Sequence, residues 1–166
     1  MAWFRTAVLL AATVTMGLSA GLFFAYSCSV MPGLAKADDR TFVETMQRIN
    51  VAILNGWFMA VFMGALVLSL LAVGLHLGAG QRGALPWLVA AAVLYVVLMV
   101  VTGTVNVPLN DQLAAAGSLD HIPDLAAVRE RFETTWVKWN TVRTVAGTAG
   151  FGCLVAALVV GGRSTG

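Results

Sequence analysis

Charge is what this chain is shortest of. Of its 166 residues only 11% are Asp, Glu, Lys or Arg, whereas 59% are hydrophobic and the mean hydropathy is +0.85. Soluble globular chains carry about 25% charged residues, so the shortage excludes that class and indicates an integral membrane protein. The net charge of +2, with its lysines and arginines scattered, excludes a nucleic-acid partner. Cysteine is nearly absent too. Cys28 and Cys153 fall at different depths of their expected helices, so no disulfide is expected and both read as small packing residues. Cys28, Met31 and Met46 match no soft-metal spacing, and no metal site is expected.

What is present is long charge-free runs. No charged residue lies between Arg5 and Lys36, and only His76 titrates between Arg48 and Arg82. The stretches before Asp111 and from Thr144 to Gly162 are equally clean. Each run reaches the ~18–20 residues that a helix needs to cross a ~30 Å hydrocarbon core. Four spans are therefore expected, near 6–30, 52–78, 84–106 and 143–162, in a single membrane domain over 1–166. The first run continues into Tyr26 and Pro32 without a small-residue cleavage site, so it is expected to remain as a span rather than to be a removed leader.

The connections differ in kind. Gly78 to Gly83, ahead of Pro86, reads as a tight turn. From Asp38 to Asn50, Phe42, Met46 and Ile49 recur at helical spacing behind an Asp N-cap, which predicts an amphipathic helix feeding the second span. After Pro123, Leu125, Val128, Phe132, Trp136 and Trp139 predict another that runs into the fourth. Phe42 to Asn50 can also be laid on Phe132 to Asn140, each following a span that ends in proline, Pro32 or Pro108. The fold class expected is all-α: an integral membrane four-helix bundle of two helical hairpins, with amphipathic helices in the two long connections on one side.

That side also gathers the polar stretches. Polar groups inside spans are costly and usually face a cavity or another helix, so their clustering predicts a pocket there. Counting lysines and arginines places seven on the pocket side and three opposite, which would put the pocket in the cytoplasm. The seven are interspersed with all eight acids, however, while Arg5 precedes the first span unopposed. A multi-pass protein of the cell membrane with cytoplasmic termini is the orientation adopted.

Around this pocket, Trp136, Trp139, Asn140 and Arg143 stand at i, i+3, i+4 and i+7, on one helical face at a membrane boundary. Asn50, Asn106, Asn140 and Arg143 are expected to converge on one cavity with Trp136 and Tyr26. Four motifs follow one another among the spans: Ser27 to Gly33, Met46 to Asn50, Asn106 to Asn110, and Trp136-x-x-Trp139-Asn140-x-x-Arg143. In that order they resemble the anthrone oxygenase family of small membrane proteins. The resemblance implies a compact four-helix membrane protein and, from characterised members, cofactor-free oxidation of an anthrone to an anthraquinone by O2. No flavin, nicotinamide or haem signature stands against this, and no cofactor is expected.

An anthrone that loses a proton opposite its carbonyl becomes a delocalised anion able to pass electrons to oxygen. The protein must supply a base, donors for the enolate oxygen and an apolar slot. The catalytic candidates are Arg143 for the anion, Asn106, Asn110 and Asn140 as hydrogen-bond donors, and His121 or Asp111 as base. Trp136, Trp139, Asn50, Gln47, Tyr26 and Ser29 are the substrate-binding candidates. Each has a structural alternative, since boundary tryptophans anchor helices, arginines snorkel and asparagines cap. Two functions stay open. One is an O2-dependent oxidoreductase acting on an anthrone- or quinone-like lipophile taken from the bilayer. The other is a non-catalytic module that binds a hydrophobic ligand or a partner protein. Homo-oligomer formation is left open.

Overall fold

The structure is a computed structural model that describes residues 2–78 and 82–163. Among these residues there is no strand. Helices α1 (Ala2–Ala25), α2 (Met31–Leu34), α3 (Asp39–Ala52), α4 (Gly56–Leu75), α5 (Leu85–Val101), α6 (Val107–Ala115) and α7 (Leu125–Arg163) account for most of the chain. Four stretches are long and apolar enough to cross a membrane: Trp3–Leu34, Gly56–Leu75, Leu85–Ala115 and Leu125–Gly162. The tight turn expected between the second and third spans falls mostly on residues 79–81, outside the described residues.

Prolines explain why two spans run further than expected. A proline has no N–H to give the carbonyl four residues back, and its ring presses on that carbonyl. At Pro32 and Pro108 the chain widens to a five-residue π turn just before the proline, Tyr26–Val30 and Thr102–Asn106, and then resumes as α2 and α6. The N–H of Met31 bonds Tyr26 O and that of Val107 bonds Thr102 O, each five residues back. The break is absorbed, so Pro32 and Pro108 extend their spans rather than end them.

The second span is shorter than expected because α3 and α4 are separate. Asn55 stands between them and serves both ends: its Oδ1 accepts from Phe58 N–H at 3.0 Å and its Nδ2 donates to Ala52 O at 2.9 Å. Nothing interrupts α7, whose 39 residues would extend about 58 Å at 1.5 Å per residue, well beyond one bilayer core.

The four long stretches pack in a ring, α1 against α4 and α7, and α5 against α4 and α7. Their direction follows from which residues meet. A Cβ on Gly150 would touch Met16 and Ala91, one on Gly147 would touch Ala20 and Leu98, and Asn140 reaches Phe23 O. As numbers fall along α7 they rise along α1 and α5, so both run antiparallel to it. Midway, Tyr95 Oη donates to Phe62 O at 2.9 Å and meets Ser19 Oγ at 2.9 Å, which joins α5, α4 and α1 through one buried phenol.

Beyond one end of the ring sits a second apolar cluster around Met31, Phe42, Met46, Leu113, Phe132 and Trp136. Phe42 and Phe132, the residues that match between the two halves, meet edge to face with centroids 6.2 Å apart. Arg129 fastens this head. It donates to the carbonyls of Ala35 and Ala37, pairs with Asp39 and Glu133, and lies 4.5 Å over the Phe42 ring.

Candidate functional site

Where head and bundle join there is a cavity of about 240 Å³. Several elements shape it. The first π turn brings in Tyr26, the joint between α3 and α4 brings Asn50, Ile53 and Leu54, and the second π turn brings Asn106 with Asn110 and Asp111 one turn on. Trp136 and Arg143 enter from α7, two turns apart on one face.

Arg143 is the unusual member. Only 4% exposed, it lies between two rings, with its guanidinium carbon 4.5 Å from the Phe23 centroid and 5.0 Å from that of Trp136. Its Nη2 donates to Asn140 Oδ1 at 2.8 Å, while its Nε finds no acceptor. The ion pairs among the described residues are Arg40 with Asp120, Arg48 with Glu44, and Arg129 with Asp39 and Glu133; Arg143 enters none. A buried guanidinium stays protonated in ordinary proteins and normally needs a counter-charge. Here it has aromatic faces and one amide oxygen.

Asn140 sets the arginine from behind the cavity. Its Nδ2 donates to Phe23 O at 3.1 Å and to Ser27 Oγ at 2.9 Å, so its oxygen can only face Arg143. Ser27 Oγ also meets Thr144 Oγ1 at 2.9 Å. Trp136 is held on both sides. Its indole N–H donates to Asn110 Oδ1 at 2.8 Å, its carbonyl accepts from Asn106 Nδ2 at 3.2 Å, and Phe132 and Tyr26 pack on its ring at 6.0 and 5.5 Å. With its faces taken up, Trp136 is a wall that orients its neighbours more than a free stacking platform.

Three buried side-chain atoms lack a hydrogen-bond partner among the described residues: Asn50 Nδ2, Asn106 Oδ1 and Arg143 Nε. All belong to residues lining this cavity. Buried polar atoms are rarely left unpaired, and these three belong to residues of a single cavity wall. A larger recess of about 420 Å³ lies in the head between α6 and the start of α7, lined by residues such as Leu109, Ile122, Pro123 and Phe132. No orphaned polar atom faces it, so the smaller cavity is the better candidate.

Of the residues singled out in the sequence, Arg143, Asn106, Asn110, Asp111, Trp136, Asn50, Gln47 and Tyr26 line the cavity. Asn140 stands one layer behind. Gln47 also ties α3 to the end of α6, its Nε2 donating to Leu113 O at 2.9 Å and Gly117 O at 3.2 Å. His121 lies exposed on a short 3-10 turn in the second connection, Ser29 is exposed on the first π turn, and Trp139 is half-buried; none of the three lines the cavity. Phe23 and Phe58 were not anticipated, and Ser27 entered only as the start of the Ser27 to Gly33 motif. Phe23 and Ser27 lie one turn apart and face Asn140, which the helical phase of the first span would have shown; Phe58 follows from the α3–α4 joint, which periodicity hides.

The family model for anthrone oxygenase matches residues 57–153. That is more than half of the chain. The protein belongs to the anthrone oxygenase family. The match takes in Asn106, Asn110, Asp111, Trp136, Asn140 and Arg143, and leaves the first span and α3, with Tyr26, Gln47 and Asn50, outside. No curated protein and no solved structure matches the chain. In this anthrone oxygenase family member the matched segment thus supplies the charged lining residues Asp111 and Arg143, and the unmatched segment adds Tyr26, Gln47 and Asn50.

Proposed function

We propose that this protein is a membrane-embedded, O2-dependent oxygenase acting on an aromatic lipophile of the anthrone class. The observation that carries the reading is Arg143, a buried cation without an acid, held between two rings on the wall of a largely apolar cavity. Such a group favours an occupant that becomes anionic, because no ion pair already neutralises it. Membership of the anthrone oxygenase family supports the same chemistry.

In this reading Asp111, the one carboxylate among the lining residues, takes a proton from the methylene opposite the substrate carbonyl. The electron pair delocalises onto the carbonyl oxygen, where Arg143 Nε and Asn50 Nδ2 donate to it. The anion passes one electron to O2. The two radicals join as a peroxide anion at the former methylene carbon, and Asp111 returns its proton to make the hydroperoxide. Loss of the second hydrogen from that carbon, with cleavage of the O–O bond, releases water and leaves a new carbonyl. One anthrone and one O2 become one anthraquinone and one water. Phe23, Ile53, Leu54 and Phe58 keep bulk water from the anion.

The test is oxygen uptake by the protein purified in mild detergent, with anthrone added and quinone absorbance followed in parallel. One O2 consumed per quinone formed is expected, at a rate proportional to protein. A rate no greater than that of heat-inactivated protein would remove the oxygenase reading. We place the protein in the cell membrane with its termini in the cytoplasm and the cavity towards the opposite face, because Arg5 precedes the first span without a neighbouring acid. A cysteine introduced at Ala115, in a Cys28→Ser and Cys153→Ser background, should react with an impermeant reagent added outside intact cells; protection there would reverse the orientation.

A further inference from the structure

We propose that the cavity opens sideways onto the membrane, through a slot between α3 and α6 whose lips meet the bilayer where headgroups give way to acyl chains. Its occupant then arrives from the lipid and not from the water. The proposal concerns access alone, so it stands or falls apart from the oxygenase reading.

Two short rows of side chains border the slot. On one side Gln47 and Val51 stand one turn apart on α3, with Leu54 beyond them in the joint. On the other, Val107, Asp111 and Ala114 follow one another at i, i+4 and i+7 along α6. All six line the cavity. All but Gln47 are also exposed, and a side chain that both lines a cavity and faces outward borders its opening.

The two ends of the slot differ. At the end far from the bundle Gln47 crosses it, its Nε2 donating to Leu113 O at 2.9 Å and to Gly117 O at 3.2 Å. Carbonyls at the end of a helix have no partner inside it, so this bridge caps α6 while it closes the slot towards the water. At the near end the lips are bare aliphatic chains: Val51 is 74% exposed, Leu54 73% and Val107 43%.

That near end lies at the edge of the hydrocarbon core. The 20 residues of α4 rise about 30 Å, one core thickness, so Gly56 marks the boundary. Trp57 follows it, 87% exposed, where tryptophans anchor in the interface. The same rise counted from Leu85 ends in the second π turn, next to Val107. Both lips therefore stand at one depth. Acyl chains cover such side chains at no hydration cost, whereas water does not. Asp111, one turn further out than Val107, falls among the headgroups, where a charge is tolerated.

The experiment uses Leu54→Cys and Val107→Cys, one from each lip, with Gln112→Cys from the other side of α6, where it lines the head recess. Each is made in the Cys28→Ser and Cys153→Ser background and placed in phosphatidylcholine vesicles. In the first arm the cysteine carries a nitroxide, whose spin relaxation is measured with O2, which concentrates in lipid, and with a neutral nickel chelate, which stays in water. O2 should be the stronger relaxant at positions 54 and 107, and the chelate at 112. In the second arm the cysteine is blocked as a benzyl disulfide, and association of anthrone under argon is followed by tryptophan quenching. Blocking either lip should slow association ~10-fold. Cleaving the disulfide with a thiol should restore the native rate, which also reports that the variant is folded, and blocking position 112 should change nothing. A chelate that relaxes positions 54 and 107 more than O2 does, or native association with the lips blocked, overturns the inference and leaves the oxygenase reading standing. If anthrone binds none of these proteins, the oxygenase reading falls and the relaxation measurement alone decides where the cavity opens.

Discussion

In the first half of the chain the amphipathic helix α3 stops at Ala52 and α4 begins afresh at Gly56, whereas in the second half the corresponding passage, through Asn140 to Arg143, is uninterrupted helix. The halves otherwise share a plan: a span, a π turn, a proline two residues on, an amphipathic helix and a second span. The matched asparagines show what the one difference does. Asn140, inside continuous helix, uses its amide on Phe23, Ser27 and Arg143, while Asn50, beside the break, has a buried Nδ2 with no partner. Continuous helix fixes polar groups at known phase, and the broken joint leaves space beside them. Packing follows the same division. Added Cβ atoms on Gly147 and Gly150 of α7 would come within 3.1 Å of Leu98 and 3.0 Å of Met16, but one on Gly64 of α4 would find its nearest neighbour at 4.0 Å and one on Gly74 none. The helix that carries Arg143 is gripped on both sides, and the helix that borders the open joint is held more loosely.

The largest effect should come from removing the charge on the rigid side. Arg143→Met is expected to lower turnover by ~10²–10³, the typical cost of losing one preorganised donor. Thermal stability in detergent should stay level or rise, because the buried cation has no acid to lose. Arg143→Lys keeps the charge but cannot span Asn140 and the cavity with one planar group, so it should fall nearly as far. Native turnover in well-folded Arg143→Met would refute an anion-stabilising role, and a large fall in melting temperature would make the residue structural instead.

A smaller effect is expected on the broken side. Asn55 closes α3 and opens α4, so Asn55→Ala should cost about 1 kcal/mol, in the usual range for losing an N-cap. Because Ile53 and Leu54 of this joint line the cavity, KM should rise several-fold with kcat little changed. Asn55→Asp preserves the acceptor and should restore most of the stability. If Asn55→Ala leaves both melting and KM untouched, the joint is not what shapes the cavity, and the contrast between the halves loses its functional meaning.

These two sides were not equally readable in the sequence. The four spans announce themselves through charge-free runs, and Trp136, Asn140 and Arg143 through helical phase, because an uninterrupted helix projects its period onto the residues. That phase also suggested Trp139 for the cavity, where it does not line the wall; Trp136 alone is turned in, fixed by Asn110 and Asn106. The prolines read as span ends because a proline removes a hydrogen bond, and nothing local reports that a π turn upstream takes up the mismatch. The break at Ile53 to Asn55 is invisible for a related reason: Val51 to Leu54 continue an apolar run, and only Asn55 and Gly56 hint at a restart. His121 had the right chemistry for a base, but a loop residue has no period to place it. Asp111 was named for lying on the pocket side, and it lines the cavity.

The smallest effect distinguishes how the two amphipathic helices begin. Asp124 caps α7 with one hydrogen bond, from Ala127 N–H at 2.9 Å, whereas Asp38 caps α3 with two, from Thr41 N–H at 3.0 Å and the Thr41 hydroxyl at 2.7 Å. These bonds, the backbone one foremost, hold the Asp38 carboxyl below its ordinary value. Its contribution is therefore fully present above the unfolded value of about 3.9 and is lost as the pH falls through the lower, folded one. Amide exchange at Thr41 and Phe42, corrected for the intrinsic rate, should accelerate as the pH is lowered below about 4. The ion pairs of Arg129 with Asp39 and Arg40 with Asp120 lie nearby, but Asp38→Asn leaves both intact and keeps an oxygen acceptor for Thr41. In that variant the acid-dependent acceleration at Thr41 should shrink, while the start of α7 exchanges as before. An unchanged pH profile in Asp38→Asn would show that the cap is not the source of the acid sensitivity of α3.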